Sequence, residues 1–126
     1  MASRAFKLES LDVYRKAINV CTRMYHHAGV DDERELPSKI RSLALEIVMN
    51  LASGLGFWDK MQKEHHFAAA KRAIMSVMPL IDMLWEGRSD DSVHQHIEEE
   101  LQELGAMVNK LYIQAKKRRH EDGENG

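Results

Sequence analysis

The chain has 126 residues, 44% of them apolar and 30% charged, with a formal net charge of −2. That describes one globular domain able to bury a single core, and it gives no global electrostatic argument for nucleic acid. No apolar run approaches the roughly 20 residues that span a bilayer, and the opening MASRAFKLESLDVYRK lacks a hydrophobic signal core, so a cytoplasmic protein without a membrane partner is expected.

Two prolines, seven glycines and frequent Leu, Ala, Met, Glu and Lys favour helix, and no stretch alternates as a strand would. The first predicted helix covers about 8 to 28, with Leu11, Tyr14, Ile18, Cys21 and Tyr25 on one side and Gly29 as its stop. After the acidic link VDDERE, Pro37 suits the first turn of a second helix over about 36 to 55. Its stripe is Leu36, Ile40, Leu43, Ala44, Ile47, Val48 and Leu51. A third helix, about 61 to 86, carries Phe67, Ala70, Ile74, Val77, Met78, Ile81 and Trp85, with Gly87 ending it. Ser89, Asp90 and Asp91 suit the cap of a fourth helix over about 90 to 116, whose stripe is Val93, Ile97, Leu101, Leu104, Val108, Leu111 and Ala115. Short connections between such helices imply antiparallel neighbours. The expected fold is all-α, an antiparallel up-down-up-down four-helix bundle in one domain over 1–116, with 117–126 a disordered polar tail.

The apolar faces are unequal. The second helix also carries Leu45, Met49 and Ala52 away from its stripe, the third carries Met75, Pro79 and Met83, and the first carries Val13, Val20 and Met24. A single-layer bundle cannot cover a second apolar face internally, so these residues are the candidate oligomer interface. The plainer alternative is a wide core face with scattered exposed apolar groups.

Few residues suggest chemistry. His94 and Glu98 are four apart and can share a metal, but neither the Glu-x-x-His of di-iron bundles nor the His-Glu-x-x-His of zinc proteases occurs. The seven histidines therefore read as surface residues, with a small metal- or ligand-binding helical protein kept as the alternative. No metal site, cofactor or catalytic residue is assigned. Cys21 lies on an apolar stripe and reads as a buried thiol rather than a nucleophile. Gly54-Leu55-Gly56 follows a helix and lacks the third glycine of a dinucleotide fingerprint, so one of these glycines is expected to cap the helix with positive φ. Asn50, flanking the stripe, is expected to bond across to a neighbouring helix or loop.

Charge is segregated along the chain. Residues 89–106 hold six acids and no Lys or Arg, whereas Lys116, Lys117, Arg118 and Arg119 form a run, and Lys39, Arg41, Lys71 and Arg72 add to the positive side. These eight are the candidate contacts to phosphates or to a partner, against the alternative that they solvate ordinary outer faces.

Several motifs also carry a family resemblance. They are Leu11-Asp12-Val13-Tyr14-x-x-Ala17, Ile40-Arg41, Ile47-x-x-Asn50-Leu51-Ala52-x-Gly54 and Ala73-x-x-Ser76. Over about 8 to 113 the chain resembles the four-helix-bundle proteins first noticed as products of intervening sequences in bacterial large-subunit ribosomal RNA genes. Asn50 and Gly54 are the most specific markers, while Ser53 and Pro79 depart from residues common in the family. The segments ELPSKIR and ELGAMVNKL also look like the related accessory variability proteins of diversity-generating retroelements. The resemblance implies a homopentamer of four-helix bundles with no catalytic residues, whose basic surface binds nucleic acid (RNA or DNA) or a nucleic-acid enzyme such as a reverse transcriptase. A helical partner of a different chain is a further alternative for the second apolar faces.

Overall fold

The computed structural model describes the backbone of residues 8–56, 59–86 and 91–125, and the side chains of 11–56, 59–86 and 92–120. It contains four helices and, among the described residues, no strand: α1 Leu8–Ala28, α2 Glu35–Gly56, α3 Lys60–Trp85 and α4 Asp91–Asn125. The main packed pairs are α1 with α2, α2 with α3, α3 with α4, and α1 with α4, which closes a square of helices. Neighbours run antiparallel. Asn50 of α2 meets His66 near the start of α3, while Lys71, Asp82 and Trp85 of α3 meet Tyr112, His94 and His94 of α4 in descending order. Lys16 and Arg23 of α1 likewise pair with Glu103 and Glu100 of α4.

Local chemistry explains several helix ends. Gly29 follows α1 with φ of 100°, a left-handed conformation that a side chain disfavours, and its N–H donates to the His26 carbonyl at 3.1 Å. An added Cβ there would also meet Asp32 Cβ at 3.1 Å. The turn is tied to α2 by the Arg41 guanidinium, which donates to the Gly29 carbonyl. Pro37 lies in the first turn of α2, as its missing N–H allows. Asp59, which the sequence reading passed over, is the N-cap of α3: its Oδ1 accepts from the backbone N–H of Met61 at 2.8 Å and of Gln62 at 3.3 Å. The expected roles of Gly87, Ser89, Asp90 and the Asp91 side chain lie outside the described residues.

Two expectations need correction. The polar segment after residue 116 continues α4 to Asn125 rather than leaving the helix. Lys116, Lys117, Arg118 and Arg119 are good helix formers, and Arg119 anchors that turn to α3 by donating to Glu64. Neither Gly54 nor Gly56 has positive φ; both are helical residues of α2.

The core is apolar throughout, and no polar or charged residue among those described is buried. Its largest fully buried side chains include Met24, Ile40, Ile47, Leu51, Ile81, Ile97, Leu101 and Leu104. The predicted stripes of α2, α3 and α4 supply most of it. For α1 the assignment reverses. Val13, Ala17, Val20, Met24 and Ala28 join Cys21 inside, whereas Tyr14, Ile18 and Tyr25 sit half-buried at the edge. Both sets have helical spacing. A half-buried position at the edge suits a tyrosine, whose ring is apolar and whose tip is polar. Val13, Val20 and Met24 are thus core residues and leave the candidate interface.

Candidate functional site

With the core closed, several large apolar side chains remain outside it. On α2, Leu45 and Met49 are 52% and 65% exposed; on α3, Met75 and Met83 are 64% and 63% exposed. Pro79, between the two methionines, is exposed, and Ala52 is half-buried. Each set lies opposite the buried stripe of its own helix, at spacings of three and four. The Asn50–His66 contact and the pocket lined by Leu36, Pro37, Met83 and Leu84 set the α2/α3 register, which brings Leu45 and Met75 to about the same height along the bundle. Beside Leu45 a shallow apolar groove runs between α1 and α2, walled by Ile18, Cys21, Tyr25, Ala44 and Val48. Met61 and Ile113 are also exposed, at 67% and 53%. They were missed because each is an isolated apolar residue off any stripe.

The eight candidate basic residues do not form one patch. Lys116, Lys117, Arg118 and Arg119 lie late in α4, towards the end of the bundle where α3 begins, and Lys71 approaches them from the middle of α3. There the Lys71 and Lys116 ammonium groups lie 5.5 and 6.0 Å from the centre of the Tyr112 ring. Lys63 belongs to the same end, and burial together with the charge of Arg118 holds its pKa below the usual lysine range. Arg119 is committed to Glu64, whose pKa it lowers by hydrogen bonding. Lys39 and Arg41 lie at the opposite end of α2, where Arg41 serves the Gly29 turn and stands 6.0 Å from the Tyr25 ring. Arg72 is exposed on α3, one residue round from Lys71.

Asn50 and Gly54 form a packed junction. Asn50 Nδ2 donates to the Glu46 carbonyl at 2.9 Å, which orients the amide so that Oδ1 faces His66 Nδ1 at 3.0 Å. That contact requires the proton on Nδ1 of His66. It is the bond to a neighbouring helix expected of Asn50. One turn on, a Cβ at Gly54 would lie 2.5 Å from Cε1 and 2.7 Å from Cδ1 of Phe67, so glycine is needed here for close approach. Lys63 Nζ closes the junction by donating to the Gly54 carbonyl at 2.9 Å and the Leu55 carbonyl at 3.4 Å, two acceptors left over at the end of α2.

At the other end of α3, three metal-ligating side chains converge. Asp82 from α3 and His94 and Glu98 from α4 have ligand atoms all within 4.8 Å of one another. His94 Nε2 lies 2.9 Å from Asp82 Oδ1 and 3.3 Å from Glu98 Oε1. Trp85 stacks on the imidazole, with ring centres 5.8 Å apart and planes 17° apart. A shared hydrogen bond splits the two carboxyls: it raises the pKa of Glu98 and lowers that of Asp82, with the His94 bond adding to the latter. Burial opposes protonation of His94, but the bond to Asp82 and the charge of Glu98 outweigh it and raise its pKa. The His94–Glu98 spacing was visible in the sequence; nothing in the sequence joins Asp82 to it.

Cys21 is buried, and desolvation pushes its thiol up to about 12, so it holds no thiolate near neutrality. No helix among the described residues is long and apolar enough to cross a membrane. Comparison with family models, curated proteins and solved structures finds no match for this chain.

Proposed function

We propose that this protein is a non-enzymatic, self-assembling helical scaffold, a homopentamer, whose basic end engages nucleic acid or an enzyme that works on it, such as a reverse transcriptase. The observation that carries the assembly reading is the second apolar face. Leu45, Met49, Met75, Pro79 and Met83 stand outside a core that the opposite sides of the same helices already complete. Covering them removes apolar surface from water, at roughly 25 cal/mol per Å². Segregated charge fits the same reading: an acidic early α4 and a basic late α4 suit a head-to-tail contact between copies, the kind of contact that closes rings. The number five comes from the family resemblance.

Light scattering coupled to size exclusion, with native mass spectrometry, tests the assembly. The wild type should run as a pentamer at micromolar concentration. Leu45→Glu with Met49→Glu, both at exposed positions, should give a folded monomer. A monomeric wild type ends the proposal, and assembly only with a second protein from the native extract replaces it with a hetero-complex. For nucleic acid, binding to structured RNA and to duplex DNA should fall steeply between about 50 and 200 mM salt, and Lys116→Glu with Lys117→Glu should weaken it on every sequence. No binding at the lower salt removes that part alone.

A further inference from the structure

We propose that Asp82, His94 and Glu98 form a binding site for a divalent transition-metal ion, with Zn²⁺ the best match, bridging α3 and α4. The geometry is convergent. Both carboxylates address the same ring nitrogen, Nε2 of His94, at 2.9 and 3.3 Å. One imidazole nitrogen carries at most one proton, and a single N–H directed at two acceptors is shared between them. A metal ion is not limited in that way. With bonds of about 2.0–2.2 Å to nitrogen and oxygen, ligand atoms around one tetrahedral or octahedral ion stand roughly 3.0–3.5 Å apart. The two separations from Nε2 lie at or beside that range, and the two carboxylates come within 4.8 Å of one another, so the rotation required is the one that draws Asp82 and Glu98 together.

The surroundings also favour a cation. Asp82 lies in the last turn of α3, which ends at Trp85, where the helix dipole disfavours a negative charge. It is placed beside a second carboxylate, that of Glu98, so the cluster gathers two acids around one neutral-or-cationic ring. Asp82 is the exposed member while His94 and Glu98 are half-buried, which leaves one side open to water for the remaining coordination positions. Trp85, stacked on the imidazole, holds the ring plane in the orientation that aims Nε2 at the carboxylates. The donor set of one imidazole and two carboxylates suits Zn²⁺ and its first-row neighbours. The nitrogen ligand disfavours Mg²⁺ and Ca²⁺, which take oxygen.

The experiment is calorimetric titration of ZnCl₂ into untagged, chelator-treated protein, repeated with MgCl₂. One Zn²⁺ per chain should bind saturably, with Mg²⁺ failing to compete. His94→Ala should abolish binding. Asp82→Asn and Glu98→Gln should each weaken it by at least the roughly 10–100-fold that loss of an outer-shell partner costs. The double variant His65→Ala, His66→Ala, on histidines at the far end of α3, should leave it unchanged. Should His94→Ala lose its helical circular dichroism, Asp82→Asn decides alone, because Asp82 is exposed and outside the core. No saturable Zn²⁺ uptake, uptake retained in Asp82→Asn, or uptake lost only with His65 and His66 overturns the proposal.

Discussion

Where α2 ends and α3 begins, Lys63 donates to two leftover carbonyls of α2, Arg119 of α4 holds Glu64, and the Phe67 ring packs closely on Gly54. At the other end of α3 the tie is made from Asp82, His94 and Glu98, which crowd around one nitrogen under a stacked Trp85. Both junctions join neighbouring antiparallel helices, but the first answers negative backbone ends and a carboxylate with cations, whereas the second brings two acids together. A cation on a helix C-terminal carbonyl and an opposite-charge pair are each favourable as they stand. Two facing carboxylates are not, and they hold together only through a shared proton, a protonated ring or a bound cation. Helix-to-helix closure can therefore be structural at one end of a bundle and responsive at the other, within a chain whose net charge is only −2.

The strongest way to break the first junction is Gly54→Ala. Its Cβ enters the space of a buried ring, and overpacking of this kind costs about 1–3 kcal/mol, more than the helix propensity alanine returns. Gly105→Ala is the matched contrast. Its Cβ would meet Ile74 Cγ2 at 3.6 Å, an ordinary contact, so up to about 1 kcal/mol of stability should be gained. Urea unfolding of the two variants measures the difference; equal midpoints would show that Phe67 does not constrain Gly54.

A smaller effect sharpens the contrast of charge. Glu64 has a folded pKa below its unfolded value because Arg119 donates to it. Its contribution is present above the unfolded carboxyl range and is lost as pH falls through the folded value. Glu64→Gln should lower stability at neutral pH by no more than about 1 kcal/mol and flatten the acid limb of the stability curve. Glu98 has the opposite sign, since its folded pKa is raised by Asp82. What it contributes is present at low pH and lost as pH rises through that raised value. Without added metal, Glu98→Gln should therefore be neutral or slightly stabilising near pH 7, within about 0.5 kcal/mol. Thermal unfolding across about pH 2 to 8, which spans the acid limb below the ordinary carboxyl range, separates the ends when read for both variants; slopes of the same sign would mean that the two junctions are electrostatically alike.

Cys21 gives the smallest readout. A thiol raised to about 12 should stay unmodified by a disulfide reagent at pH 8 and react only when urea unfolds α1.

What the sequence by itself determined was the register of apolar residues along each helix. Ile40, Ile47 and Leu51, or Ile97, Leu101 and Leu104, repeat at the helical period and can be buried in only one way. Gly29 marked the end of α1 because only glycine sits easily at positive φ. From these follow the helices, their order and the antiparallel bundle. Where one helix carried two apolar stripes, as α1 does, period could not choose between them. Packing chose the stripe that holds Val13, Ala17, Val20, Met24 and Ala28. The tertiary structure alone decided every relation between helices: the ring that makes Gly54 necessary, the separation of Lys39 and Arg41 from the basic end, and the arrival of Asp82 beside His94. Periodicity records which way a side chain points from its own axis, and only packing says what it meets there.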